Sequence, residues 1–533
     1  MKQHKYIVIS GGSLSGLGKG VVSASIGKLL TPKNKVITIK CDGYLNVDPG
    51  TMNPIEHGEV FVLEDGAEVD MDFGHYERFL NINCKKEWSL TSGKIFQMVI
   101  EKEREGGYLG KTVQMIPHVT DMIKERIKKI SEQEQADITI IELGGTVGDI
   151  EMELFIEATR QLRLEVAKQD MLYIMLTFIP KLAVVGEQKT KPTQQAVKNL
   201  QQRGIQPDLI IGRAQEKLDE KTKQKIALFA NLREEDIISN PDLETIYELP
   251  LIFEEEGLHT LLAQKLQTFN QAVPQKWKKL VKTIKAPKKE ITIAIAGKYT
   301  ELKDSYVSIS EALTHCGAYF DTKINLKWIE TTDLENEEHI NNIPELENCC
   351  GIIVPGGFGG RGIEGKIKVI KYAREKNIPF LGICYGLQLA VIEFARNVCG
   401  ITTAHTTEVQ QTNEAVIDIL EEQKEITKKG GTMRLGGYEA KLNEGSRISQ
   451  LYNNTKASER HRHRYEVNPK YHKILEEKGL IISGKSPDGT LAEFIEIPEH
   501  KYFVATQGHP ELKSRLETPA PLFYGLVGAC IKK

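Results

Sequence analysis

Short apolar runs separated by longer amphipathic stretches organise this chain. Runs at 5–12 (KYIVISGG), 36–41 (VITIKC), 136–143 (ADITIIEL), 171–179 (MLYIMLTFI) and 208–213 (DLIIGR) are short and mostly rich in β-branched residues, the pattern of strands buried on both faces. Between them lie stretches such as VTDMIKERIKKISEQ (119–133), whose apolar residues recur at helical spacing. Strands alternating with helices predict βαβ units and a mostly parallel sheet. A second series begins at ITIAIAGKY (291–299) and continues through INLKWIE (324–330), GIIVPGG (351–357) and IPFLGIC (378–384). It closes with the short runs GLIISGKS (479–486), LAEFIEI (491–497) and YFVATQ (502–507). Between the series, QAVPQKWKKLVKTIKAPKKE is lysine-rich and holds two prolines. The expected organisation is therefore α/β with two domains, 1–270 and 291–533, joined by a linker at 271–290, each a mostly parallel sheet flanked by helices.

The composition narrows the setting. At 533 residues the chain exceeds what one core organises. A net charge of −3 gives no reason to expect nucleic acid or an acidic membrane as a partner, and no apolar run reaches membrane-spanning length. The eight cysteines form no CxxC pair. They read as reduced thiols, with a cytoplasmic location expected.

Two turns carry candidate chemistry. GGSLSGLGKG (11–20) follows a strand and opens a helix. Its glycines let backbone N–H groups face phosphates, Lys19 reaches the terminal phosphates, and the helix N-terminus favours negative charge. The match to a Walker A loop is loose: Ser13 replaces the first motif glycine, and Gly20 stands where a magnesium-binding hydroxyl is usual. A glycine-rich turn after a strand is often just a tight turn, but this motif favours phosphate binding. A metal would need carboxylates instead, and Glu142, ending a strand before GGTVGD, and Asp72 in EVDMDFGHYERF are the candidates; either alone reads better as a solvated loop acid, and it is their pairing with the phosphate loop that brings the metal reading level. KTKPTQ (189–194), with Lys189 and Lys191 beside Pro192, is a second cationic loop suited to an anionic ligand.

The other turn is FLGICYGLQ (380–388). An apolar run leads into Cys384 and a helical LQLAVIEFA follows, the pattern of a nucleophile elbow. A thiol nucleophile needs a base and the base an orienting acid; TQGHPEL (506–512) offers His509 and Glu511. Pro355-Gly356-Gly357 ends a strand and, with the Tyr385 N–H, offers oxyanion donors. A lone Cys is more often a small buried hydrophobe; the combination is what points to catalysis.

With PGGFGGRG, GICYGLQ and HPE in that order, the second half resembles the class I glutamine amidotransferases. The first half, with GGSLSGLGKG, the segment 44–79, IELGGTVGDIE and GEQKTKPTQ, resembles the amidoligase domain of the CTP synthase family, which is P-loop and dethiobiotin-synthetase-like in fold; GGTMRLG and ERHRHRYEVN extend that likeness into the second half. The resemblance implies ATP-dependent amination of UTP to CTP with ammonia from L-glutamine, through a 4-phosphorylated UTP. It implies ATP contacts at Gly16, Leu17, Gly18, Lys19, Gly20, Val21 and Asp72, and Mg2+ on Asp72 and Glu142. UTP, or CTP as feedback inhibitor, is expected on Ser15, on Asp149, Ile150 and Glu151, on Lys189, Thr190, Lys191, Pro192, Thr193 and Gln194, and on Lys225. Glutamine is expected on Gly357, Tyr385, Gly386, Leu387, Gln388, Glu408 and Arg464.

The resemblance further implies a homotetramer, GTP as activator, and an ammonia tunnel gated by His57 and Val60. Two departures stand out. Gly508 replaces a usual phenylalanine and is expected to loosen packing beside His509. The stretch 421–437 is short for a lid loop. Another glutamine-using amidoligase, or an inactive filament protein on the same fold, are the competing readings; KTKPTQ and YLNVDPGTM argue against the first, and the intact catalytic residues against the second.

Overall fold

The computed structural model describes residues 4–12, 14–52, 58–182, 186–298, 303–335, 343–419 and 433–532. They form two compact units, one of Met1–Pro49 with His75–Val281 and one of Gly50–Gly74 with Lys282–Lys533.

The first unit is built on a seven-stranded sheet. Its order is Ser89–Thr91, Val36–Asp42, Ile138–Leu143, Lys5–Gly12, Met171–Phe178, Leu209–Arg213 and Ile237–Asn240. Every pairing is parallel. The central strands are buried along nearly their whole length, which is why they read as continuous apolar runs. All C-terminal strand ends fall on one edge, where Gly12, Leu143 and Phe178 each lead into a loop.

The second unit has a nine-stranded mixed sheet. Thr322–Glu330, Lys289–Gly297, Gly351–Val354, Phe380–Ile383 and Phe503–Thr506 run parallel. Ala492–Glu496, Ile481–Lys485, Arg434–Leu442 and Lys456–His463 continue it antiparallel. The helices Val307–Phe320 and Pro521–Ile531 pack against one face, and Ile363–Glu375 and Tyr385–Asn397 against the other.

Two features differ from the expected organisation. The lysine-rich stretch 271–290 contains a helix, Gln275–Lys285, with Trp277, Leu280 and Val281 buried. Trp277 donates its indole N–H to the Tyr247 carbonyl at 2.9 Å and lies beside Phe79 and Lys28, so its lysines are the solvent face of an amphipathic helix. Gly50–Gly74 groups with the second unit. Acids hold it there: Glu64 pairs with Arg460 and Lys513, Glu68 pairs with Arg462, and Glu59 accepts from Ser308.

Candidate functional site

The phosphate-loop candidate lies where the strand Lys5–Gly12 feeds the helix Lys19–Leu30. Gly16 and Gly18 adopt φ of +73° and +83°, and a Cβ on either would meet nothing within 4 Å, so the loop is open above its backbone. Lys19 is the first helical residue and donates to the Gly145 carbonyl at 2.6 Å. The backbone N–H of Val147 bonds Gly11 O at 2.8 Å. The loop after Glu142 is thus tied directly to the glycine loop. Its turn is closed by Asp149, which accepts from the Thr146 N–H at 2.6 Å and hydroxyl at 2.9 Å.

Glu142 is buried and pairs in register with Lys40 across the sheet. Its Oε2 accepts from the Ser23 hydroxyl at 2.7 Å and the Tyr76 hydroxyl at 2.6 Å, and its Oε1 lies 3.5 Å from Lys40 Nζ. Two hydroxyl donors and the Lys40 ammonium thus hold the buried carboxyl group in place. Asp72 begins the helix Asp72–Leu80 and belongs, by its segment, to the other unit. Among the described residues no group of three or more His, Cys, Asp or Glu is arranged to hold a metal. The donor chemistry of Asp72 and Glu142, hard carboxylate oxygens, fits Mg2+, which takes one or two carboxylates and completes its shell with phosphates and water.

The second cationic loop sits on the same strand-end edge. Thr190 stands at the N-cap position of the helix Lys191–Gln202 without a side-chain capping bond, and Pro192 lies in the helix's first turn. Gln194 donates to the Thr190 hydroxyl at 2.9 Å and Thr193 to the Thr177 hydroxyl at 3.1 Å, so these two side chains brace the loop. Lys225, on the helix Glu220–Ala230, lies close enough with Lys189 and Lys221 to pull the Glu187 carboxyl below its usual range, the Lys189 hydrogen bond being the largest cause. Ser15 lies in the glycine loop, and Ile150 and Glu151 open the short 3-10 helix Ile150–Met152.

The thiol candidate is tighter. Cys384 separates the strand Phe380–Ile383 from the helix Tyr385–Asn397 and takes φ +52°, ψ −102°, a conformation a non-glycine residue holds only when its surroundings impose it. Those surroundings are visible at Gly386: a Cβ there would stand 2.1 Å from the Val354 carbonyl oxygen. The Cys384 N–H bonds Thr506 O at 2.7 Å, and the Gln507 amide lies 3.7 Å from Sγ. His509 follows the adjacent strand and is held by its N–H to Arg460 O at 2.7 Å. Its Nδ1 is 2.7 Å from Glu511 Oε1. A Cβ on Gly356 would lie 2.8 Å from His509 Cε1 and 3.7 Å from both Nε2 and Cys384 Cβ, so imidazole and thiol share the space beside Gly356. His509 Nε2 is buried without a hydrogen-bond partner among the described residues. Burial alone would lower the imidazole pKa, but the Glu511 charge and then Cys384 outweigh it and raise it to about 10.

Around the thiol, Gln388 donates to Tyr465 O at 2.9 Å and to Gln507 at 3.3 Å. The Tyr385 hydroxyl donates to Gly359 O at 3.0 Å, and the Gly359 N–H donates to Glu408 at 2.7 Å. Burial raises the Glu408 carboxyl above its usual range, against the pull of the Gly359 N–H, Lys298 and Lys366. Gly357 faces Lys366 and Tyr385. Leu387 is buried on the helix, and Arg464 follows the strand Lys456–His463, two residues past Arg462, whose carbonyl faces Sγ at 3.9 Å.

Gly508 does not loosen this region. A Cβ there would be 2.7 Å from Glu459 Cβ and 3.3 Å from Arg460 O, so the backbone is packed too closely for a side chain. His57 and residues 421–432 of the lid stretch lie outside the described residues; Val60 is half-buried. Gln507, Lys298 and Lys366 escaped the sequence reading. Only Lys366 carried a signal: with Ile363, Ile367 and Ile370 it shares the apolar face of one helix.

All eight cysteines are free, and no helix among the described residues is long and apolar enough to cross a membrane. Residues 5–268 match the family model described as CTP synthase N-terminus, and residues 301–529 the model described as glutamine amidotransferase class-I. The chain is 55% identical to a CTP synthase of Methanococcus maripaludis, over 99% of this chain and 100% of that protein. It is 54% identical to one of Borreliella burgdorferi over the same shares. Among solved structures, the glutaminase domain of Trypanosoma brucei CTPS with bound acivicin is similar at 33% identity, TM-score 0.41, covering 46% of this chain and 94% of that one.

Proposed function

The chain belongs to the CTP synthase family, and we propose that its two units divide one reaction between them, the first activating UTP with ATP and the second supplying ammonia from glutamine. The observation that carries the second half is the Cys384–His509–Glu511 arrangement, with its strained elbow and its imidazole held between a carboxylate and a thiol.

In this reading the Cys384 thiolate attacks the glutamine carboxamide carbon. The developing oxyanion is met by backbone N–H groups of the Gly356-Gly357 turn and of Tyr385. His509 then gives its proton from Nε2 to the departing nitrogen, the C–N bond breaks, and water releases glutamate from the thioester with His509 as base. The substrate's charged end calls for opposite charges: Glu408 for its ammonium and Arg464 for its carboxylate. Gly357 and the turn from Tyr385 to Gln388 form the wall along which the carboxamide lies.

In the first unit, ATP lies on Gly16 to Val21 with Lys19 on its phosphates, and UTP on Ser15, Asp149 to Glu151, Lys189 to Gln194 and Lys225. Mg2+, held by Asp72 and Glu142, would neutralise phosphate charge. Uracil O4 is a poor leaving group as it stands; phosphorylated, it leaves when ammonia adds at C4. Ammonium is no nucleophile, so ammonia must travel unprotonated, through a passage including Val60 and His57. CTP, sharing the triphosphate contacts, would compete with UTP, and GTP would activate glutamine use. Ile150 is 86% exposed and Leu45 70%, apolar surface that a subunit contact would cover, in keeping with a homotetramer. Eight free thiols suit a cytoplasmic setting. The test is CTP formation from UTP, ATP and Mg2+ with glutamine or ammonium chloride as nitrogen source. Product from both supports the reading, and absence of product from both refutes it.

A further inference from the structure

The strand Phe503–Thr506 ends against the thiol, and the chain just past it reaches Cys384 more than once. The Thr506 carbonyl takes the Cys384 N–H at 2.7 Å, the side chain of Gln507 comes next, and His509 stands two residues on. Gln507 is 0% exposed, and its backbone N–H is tied to Glu493 O at 2.9 Å, so its side chain is held in the interior beside the sulfur. The scheme above gives it no part.

Neighbours fix which way its amide points. The Gln388 side-chain nitrogen lies 2.9 Å from Tyr465 O, a carbonyl that can only accept, so that end of Gln388 is the donor. The same nitrogen lies 3.3 Å from the Gln507 amide. Two amide nitrogens cannot bond each other, so the atom facing Gln388 is Gln507 Oε1. Gln507 Nε2 is thereby turned to Cys384 Sγ, at 3.7 Å. Both ends of this buried amide are used, one on Gln388 and one on the sulfur.

The sulfur thus meets an acceptor and a donor besides the imidazole. The acceptor is the Arg462 carbonyl at 3.9 Å, which suits the thiol S–H. Once the proton leaves, that carbonyl presents its negative end to a negative sulfur. The Gln507 N–H is then the favourable neighbour, and a donor to an ionised group is worth more than one to a neutral group.

We propose that Gln507 is a further catalytic residue of glutamine hydrolysis: its side-chain N–H donates to Cys384 Sγ and stabilises the thiolate, as the attacking nucleophile and again as the group that leaves. It rests on the reading that Cys384 is the nucleophile. In the first step the sulfur proton passes to His509 Nε2, giving thiolate and imidazolium, and Gln507 keeps both of its N–H hydrogens. In the last, water adds to the thioester with its proton going to His509, the C–S bond breaks, and its electron pair returns to sulfur, where the same N–H meets it. A stabilised thiolate is present in larger share before attack and departs faster afterwards. Gln388 acts here as a positioning residue, since its bond to Oε1 is what turns Nε2 to the sulfur.

The experiment compares the full-length protein with its Q507M and Q507L variants, which fill the space and remove the N–H. One measurement is the rate at which iodoacetamide alkylates Cys384 at pH 7, followed on its peptide by mass spectrometry, with the half-buried free thiols Cys350 and Cys399 as internal references. The other is kcat and KM for glutamate release from glutamine in the presence of UTP, ATP and Mg2+. Alkylation of Cys384 should slow roughly tenfold, the weight of a weak hydrogen bond to a charged group, with Cys350 and Cys399 unchanged. The glutamine kcat should fall by a similar factor with KM within about twofold, because Gln507 touches the sulfur. Loosened packing alone would open the sulfur to reagent and raise KM, the opposite on both counts. Alkylation at the parent rate in either variant, or a loss carried by KM with kcat unchanged, overturns the proposal. The parent reading fails separately: a Cys384 that reacts no faster than Cys350 and Cys399 in the unaltered protein is no activated nucleophile, whatever Gln507 does. A thermal melt matching that of the unaltered protein shows that each variant is folded.

Discussion

Two glycine-led turns, 11–20 and 380–388, use the same strand–turn–helix framework for opposite ends. In the first, the positive φ values fall on Gly16 and Gly18, and nothing crowds either residue. The loop bends without strain and leaves its N–H groups open, as a site completed by an arriving phosphate requires. In the second, the positive φ falls on Cys384 itself, and the glycines around it are hemmed in: Gly382 by Ala505 and Gly386 by the Val354 carbonyl. That turn is fixed before any substrate comes and aims one sulfur atom. Gly16 and Gly18 serve access in the first turn, whereas Gly382 and Gly386 serve compression in the second, so these positions should respond differently to the same kinds of change.

The largest effect is expected from K19A. Loss of the lysine on the phosphates should lower CTP formation roughly 10³-fold with glutamine and with ammonia alike, measured in parallel assays; a variant still active with ammonia would remove Lys19 from phosphoryl transfer. E511Q should act on one activity only. Glutamine-dependent formation should fall roughly a hundredfold, since a thiol needs less help than a hydroxyl, while the ammonia-dependent rate holds. Its pH profile should also move. Glu511 is the main group raising the His509 pKa to about 10, so without that charge the imidazolium, and with it the alkaline limb of glutamine use, is lost at lower pH.

Glycine substitutions probe the contrast directly. G386A forces a methyl against the Val354 carbonyl at 2.1 Å and should destabilise the second unit by about 2–4 kcal/mol in denaturant unfolding. G18A meets no neighbour and carries only the cost of its left-handed φ, about 1–2 kcal/mol; its main signature should be a raised KM for ATP. Equal destabilisation by the two would undo the distinction between an open and a compressed turn.

Much of this was readable in the sequence because the parallel strands are buried on both faces and announce themselves as apolar runs. The strands Arg434–Leu442 and Lys456–His463 did not, since LGGYEAKL and KASERHRH are polar and stand in the sheet through ion pairs such as Arg434 with Glu466 and Glu493. Ser89–Thr91 and Ile237–Asn240 are edge strands of three and four residues, too short for a period to show. Cys384, His509 and Glu511 were legible because an elbow and a His-x-Glu spacing are local patterns. Gln507, Lys298 and Lys366 matter through neighbours far away in the chain. The tight fit at Gly508 depends on Glu459 and Arg460, some fifty residues earlier, which no reading of TQGHPEL contains.

The division of labour between the two turns is tested most directly by C384A, assayed for CTP formation with UTP, ATP and Mg2+ and either glutamine or ammonium chloride as nitrogen source. The account predicts no detectable product with glutamine and an ammonia-supported rate within about twofold of the unaltered protein, because the removed sulfur makes ammonia and takes no part in the C–N bond of the product. Equal loss of both activities would contradict it.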